Sequence, residues 1–185
     1  MSDNLIQMSL KEVLPTYTVE DYLQWEGDWE LWEGSPVAMA PPSTPEHQNT
    51  GTNLVVDLAT QLKEAPCANK CRVFYELDWH VNQTTVVRPD VMIYCHGIPE
   101  GKWISKPPTL IAEILSPSTR DRDLIGKREL YAQNSVKYYL ISDPESKSVQ
   151  LFLLSGESYN EIDWSSRILL TEECSVSLNT EDLFS

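Results

Sequence analysis

The chain has 185 residues, 41% hydrophobic and 23% charged, a balance that excludes a disordered chain and suits one buried core. No apolar run approaches the roughly 20 residues of a membrane span, and the opening residues lack the basic and apolar regions of a signal peptide, so a cytoplasmic protein is expected. The formal net charge of −14 argues against a general nucleic-acid binder, yet residues 1–66 hold 11 acids and 2 bases, residues 67–140 hold 8 and 10, and residues 141–185 hold 9 and 2, so an anionic substrate should meet the middle segment.

A short amphipathic helix is predicted over Thr18 to Trp25, with Thr18 as N-cap and Asp21 close to a capping-box position. Trp29 to Met39 alternates around Glu33-Gly34-Ser35 and predicts a β-hairpin, ended by Pro41 and Pro42. From Ser43 to Lys63 the pattern turns helical, with Leu54, Val55, Leu58, Ala59 and Leu62 on one face and Ser43-Thr44-Pro45-Glu46 at its start. Three strands follow, Arg72 to Val81, Thr84 to Cys95 and Thr109 to Leu115, the first two joined through Asn82-Gln83. A second helix is predicted over Arg122 to Asn134, then a strand pair, Lys137 to Ser142 and Val149 to Leu154, joined through Asp143-Pro144-Glu145-Ser146.

The tail from Ser155 predicts peripheral strands, with apolar runs at Arg167 to Leu170 and Val176 to Leu178. The six tryptophans read as buried or interface packing rather than an exposed aromatic surface. With no repeat or linker, a single domain over residues 1–185 is expected: N-terminal helix and hairpin 15–42, core 43–155 and an acidic extension 156–185. Cys67, Cys71, Cys95 and Cys174 are few and irregularly spaced, which predicts free thiols. A zinc site from Cys67, Cys71, Cys95 and His96 is disfavoured, because the spacing departs from paired C-x-x-C knuckles.

Thr109 to Leu115 is apolar on both faces except at Glu113, which reads as a central strand covered on both sides. A carboxylate there must be neutralised, paired or bound to a cation. Asp90 opens another apolar run, next to Pro89, which removes a ladder donor and marks a strand start or bulge. If the two strands are neighbours, Asp90 and Glu113 converge on one oxygen-lined site suited to Mg²⁺ (or Mn²⁺) and to water activation at a phosphate. On the second helix, Asp121 or Asp123 can cap, while Lys127 and Arg128 both fall near the apolar stripe and periodicity does not choose between them. The bland alternative makes Glu113 half of a structural ion pair and Lys127 a snorkelling side chain.

Arg88-Pro89-Asp90-Val91, the run Glu113 to Thr119, Asp123-Leu-Ile-Gly-Lys127 with Tyr131, and Tyr138 to Pro144 together resemble the Uma-type restriction endonuclease family, abundant in cyanobacteria and part of the PD-(D/E)XK nuclease superfamily. The likeness extends to Glu30-Leu-Trp-Glu-Gly34 and Pro41 to His47, and so covers roughly residues 15 to 155. It implies an α/β (α+β) fold with a restriction-endonuclease-like core: a mixed central sheet flanked by helices, in the order α-β-β-β-α-β, with an N-terminal β-hairpin. It also implies Mg²⁺-dependent hydrolysis of DNA phosphodiester bonds, with Asp90 and Glu113 as metal ligands. Leu115 stands where the superfamily motif has its lysine, and the family's use of the following helix favours Lys127 over Arg128. Glu30 and His47 resemble accessory residues near the site, whereas His80 and His96 read as ordinary strand or loop residues. The resulting expectation is an endonuclease acting on DNA as a homodimer. The rivals are a catalytically inactive nuclease fold used as a binding or assembly module, and a metal-dependent hydrolase of another phosphoester.

Overall fold

The computed structural model describes residues 15–39, 44–118, 120–165 and 167–185. The prolines expected to end the hairpin, Ser43 of the helix start and Thr119 of the Glu113 to Thr119 run lie outside the described residues. Helix α1 (Val19–Tyr22) begins at Thr18, where the Thr18 side chain and Asp21 form a capping box. Strands β1 (Trp29–Trp32) and β2 (Ser35–Ala38) pair antiparallel, with Trp32 opposite Ser35. The two-residue turn between them has positive φ at Glu33 and Gly34, the geometry that suits hairpin twist and that glycine adopts freely. Helix α2 (Pro45–Glu64) starts at Thr44, whose hydroxyl accepts from His47 N–H, with Pro45 in the first turn where it forfeits no helical hydrogen bond.

The two long strands expected next are each broken in two. Arg72 to Val81 becomes β3 (Arg72–Tyr75) and β4 (Trp79–Asn82), while Thr84 to Cys95 becomes β5 (Thr85–Val87) and β6 (Val91–Tyr94). The break in the first run contains Glu76 at φ 48°, and the second contains Pro89, which has no N–H for a ladder. These breaks meet, since Glu76 N–H donates to Asp90 O at 3.0 Å. The ribbon thereby turns a corner from one sheet into another.

Beyond the corner, β7 (Leu110–Ile114) leads to a π-helical segment (Arg122–Lys127) that runs into α3 (Arg128–Gln133), and then to β8 (Tyr138–Asp143) and β9 (Ser148–Ser155). A strand that the apolar pattern did not indicate, β10 (Ser158–Ile162), follows, then β11 (Ile168–Thr171), β12 (Cys174–Val176) and α4 (Thr180–Leu183). One sheet has the order β10-β9-β8-β7-β6-β3, the second β2-β1-β5-β4, and β11-β12 is a separate hairpin. Only β7 and β8 pair in parallel within the six-stranded sheet, as a crossover through the π segment and α3 requires. The expected α-β-β-β-α-β core is thus α2, β3, β6, β7, α3 and β8, with β4 and β5 as an excursion into the second sheet.

All five residues of β7 are buried, and its alternation divides the core. Leu110, Ala112 and Ile114 point to one face, with Leu54, Leu58 and Leu62 of α2. Ile111 lies on the other with Tyr131, Tyr139 and Phe152. Among the described residues no helix is long and apolar enough to cross a membrane.

The expectation of free thiols is overturned: Cys67 is bonded to Cys174 and Cys71 to Cys95, with no free cysteine among the described residues. Cys71 and Cys95 sit just beyond the paired Arg72 and Tyr94, and Cys67 meets Cys174 across 107 positions of sequence. His96 is exposed, outside the group of cysteine sulfurs, and packs on the ring of Tyr94. His80 is buried in β4 and stacked on Trp103 with centroids 4.4 Å apart. Of the tryptophans, Trp79 is fully buried and Trp25 packs edge-on against Tyr17, Tyr22 and Trp29.

Candidate active site

The corner between the sheets gathers the buried charges. Val91 faces Ala112 in the β6–β7 register, so Asp90 comes abreast of Glu113. Asp90 Oδ2 accepts from Ile114 N–H at 2.7 Å and lies 3.4 Å from His47 Nε2. Glu113 is 1% exposed, and its Oε1 accepts from Lys127 Nζ at 3.0 Å and from Tyr131 O–H at 2.5 Å. Glu30 enters from β1, in the second sheet: its Oε1 accepts from Arg88 N–H at 2.8 Å, and its Oε2 from Trp32 Nε1 at 3.0 Å. Lys127 Nζ is also 3.5 Å from Glu30 Oε1 and 3.6 Å from Asp123 Oδ1. Asp90, Glu113, Lys127, Glu30 and His47 therefore occupy one cluster.

The π-helical geometry explains how the last part is assembled. Its wider turn buries both Asp123 and Lys127, four residues apart, under the sheet. The expected capping by Asp121 or Asp123 does not occur: Asp121 holds the cap position without a side-chain hydrogen bond, and Asp123 faces inward. Gly126 permits the close fit, because a Cβ there would meet the Trp32 ring at 2.7 Å. Arg128 turns away, with its guanidinium 4.2 Å from the Phe152 ring centroid and donating to Tyr159 O. Asp123 and Tyr131 are the site neighbours to which the residue pattern assigned no such part. The i,i+4 spacing of Asp123 and Lys127 was the available signal.

Four carboxylates, Glu30, Asp90, Glu113 and Asp123, surround one lysine and one histidine. Burial pushes the Glu113 carboxyl well above its ordinary range; Lys127 pulls it back, while Asp90 and Asp123 add to the rise. Burial also opposes the charge on Lys127, but Glu113, Glu30 and Asp123 outweigh it and keep the ammonium protonated. For His47, burial is again overcome, here by the hydrogen bond and charge of Asp90, so its pKa is raised. A buried excess of acid is the environment that a divalent cation relieves.

The donors present fit a hard ion. Both Glu113 hydrogen bonds end on Oε1 and both Asp90 contacts on Oδ2, which leaves a second oxygen on each for a cation. Among the described residues, no three carboxylate or histidine donors lie within 4.8 Å of one another. A two-carboxylate site of this kind suits an ion that keeps several waters, as Mg²⁺ does.

The basic excess of the middle segment is largely spent on structure. Arg88 pairs with Asp78 and Asp28, Arg120 with Asp143, and Arg72 with the carbonyls of Ala68 and Cys71. That leaves less positive surface for an anionic partner than the segment's composition suggested.

The family model described as "Uma2: Putative restriction endonuclease" matches residues 19–179. A crystal structure of "a putative nuclease belonging to DUF820" from Anabaena variabilis superposes with a TM-score of 0.70 at 16% identity, covering 90% of this chain and 97% of that one. No curated protein matches the chain.

Proposed function

The chain belongs to the Uma2 family of putative restriction endonucleases, and from that premise we propose that it is a Mg²⁺-dependent endonuclease hydrolysing DNA phosphodiester bonds at the Asp90–Glu113–Lys127 cluster. The observation that carries the proposal is the buried carboxylate excess around Glu113, which a divalent ion held by Asp90 and Glu113 would neutralise. Such an ion supplies an acidified water and stabilisation of charge on the scissile phosphate. Lys127, held protonated, offers a fixed positive charge beside the attacked phosphate, and Tyr131 fixes the orientation of Glu113. His47, held by Asp90 at the more open side of the cluster, is placed to give a proton to a leaving oxygen. A homodimer would present two sites to the two strands of a duplex.

The specificity of the reaction is tested with a panel of duplex DNA, single-stranded DNA, RNA and a phosphomonoester, each with Mg²⁺ or Mn²⁺. DNA cleavage that disappears in Asp90→Ala is expected. Hydrolysis of only the monoester or RNA would replace DNA as the substrate. A second reading, an inactive nuclease fold serving as a binding module, is favoured by the net charge of −14 and by the engagement of most arginines in internal contacts. No cleavage of any of these substrates would establish it.

A further inference from the structure

Away from the carboxylates, all four cysteines of the chain meet at one place. They come from four separate positions: Cys67 after α2, Cys71 before β3, Cys95 after β6 and Cys174 at the start of β12. The turn from 67 to 71 is tight, with Lys70 N–H and Cys71 N–H both donating to Cys67 O. That turn puts Cys67 and Cys71, four residues apart, on the same side, as adjacent helical turns do. Cys71 is bonded to neither Cys67 nor Cys174, yet the sulfurs of all three lie within 4.8 Å of one another. Cys95 is attached through its bond to Cys71.

Two unrelated disulfides need not share a centre, whereas four thiolates on one metal must. Zn–S bonds of about 2.3 Å place the sulfurs of a tetrahedral site on the order of 3.8 Å apart. The sulfurs of Cys67, Cys71 and Cys174 lie within 4.8 Å of one another, close to that scale, and Cys95 adjoins them through Cys71. Cys67, Cys71 and Cys174 are buried, so the centre is closed to solvent on most sides, as structural zinc sites are. Thiolate sulfur selects zinc over the hard ions that suit the carboxylates. The Arg72 guanidinium lies on the same turn, donating to Ala68 O and Cys71 O, and supplies a positive charge beside the thiolates.

We propose that, with its thiols reduced, this cluster is a tetrathiolate Zn²⁺ site formed by Cys67, Cys71, Cys95 and Cys174. Two equivalents of a dithiol reductant deliver four electrons and four protons to the two disulfides, giving four thiols and two oxidised reductant molecules. Zn²⁺ then displaces four protons and leaves a centre of net charge −2. The site would tie the β11–β12 hairpin to the end of α2 in the reduced state, as the Cys67–Cys174 disulfide ties them in the oxidised state.

The test uses the full chain, reduced with a dithiol, supplied with Zn²⁺ and freed of excess metal before elemental analysis. About one zinc per chain is expected, both in the wild type and in Asp90→Ala/Glu113→Ala, which separates this centre from the carboxylate cluster. Cys174→Ser should lose the zinc while keeping its circular dichroism. Co²⁺ in place of Zn²⁺ should give thiolate charge-transfer and tetrahedral d–d absorption in the wild type, a readout that stands even if Cys174→Ser does not fold. Substoichiometric zinc, zinc retained by a folded Cys174→Ser, or an octahedral Co²⁺ spectrum would each overturn the proposal.

Discussion

The two faces of the six-stranded sheet are built to opposite rules. The face toward α2 takes Leu110, Ala112 and Ile114 from β7 and covers them with Leu54, Leu58 and Leu62, an apolar layer that gives way to the buried His47 and Thr50 only toward the start of the helix. The opposite face takes Glu113 from the same strand and covers it with Lys127, Asp123 and two tyrosines. Neighbouring residues of one strand thus bury a methyl-rich surface and a carboxylate at equal depth. The first arrangement needs no partner beyond close packing. The second is stable only while its charges remain matched. One face thus supplies stability through packing alone, whereas the other buries charge that has to stay matched.

The largest effect is expected at Lys127. Lys127→Met leaves Glu113, Glu30 and Asp123 without their shared cation and should cost about 3–5 kcal/mol in urea unfolding at neutral pH. Glu113→Gln should cost clearly less, because Lys127 keeps Glu30 and Asp123 as partners. Equal losses would mean that the acid excess is not felt. On the apolar face Leu58→Ala should cost roughly 2–5 kcal/mol through transfer and cavity terms, while leaving cleavage per folded molecule unchanged. A loss of activity there beyond the loss of folded protein would show that the faces are coupled.

Smaller changes sharpen the division. Tyr131→Phe removes one hydrogen bond to Glu113 and should cost about 1–3 kcal/mol, with activity reduced on the order of 10- to 100-fold. Stability loss without the drop in activity would reduce Tyr131 to packing.

The smallest effect lies outside both faces, at the β8–β9 turn. Burial opposes the charge on Asp143, but its hydrogen bonds to Ser146 and Arg120 prevail and hold the carboxyl below its usual range. This contribution is complete above the unfolded-chain value of about 3.9 and is lost as pH falls through the lower folded value. Asp143→Asn should therefore weaken the acid dependence of melting between those values and change little at neutral pH. An unchanged acid limb would contradict the assignment.

What could be read from the sequence follows from how local each signal was. A lone carboxylate in a strand without a polar face stands out at once, which is why Glu113 was legible. Asp90 was marked by the adjacent Pro89. The corner between the sheets was not legible, because β-branched and aromatic residues run on through Glu76 and Pro89 and conceal that each run serves two sheets. Asp123 was hidden by a change of helical period: on an α-helical wheel it reads as a cap, whereas the π segment turns it inward. The cysteine pairing could not be seen at all, since Cys67 and Cys174 are 107 positions apart and meet only through the return of the tail to α2.

Whether Asp90 and Glu113 hold a divalent ion at one site is decided by cleavage of supercoiled plasmid. The wild type, Asp90→Ala and Glu113→Ala are compared at equal folded concentration with Mg²⁺, with Mn²⁺ and with excess chelator. Nicking by the wild type is expected, abolished by the chelator and lowered in each variant by on the order of 100-fold or more. Equal nicking by all three proteins, or nicking that persists in the chelator, would contradict a divalent ion held there.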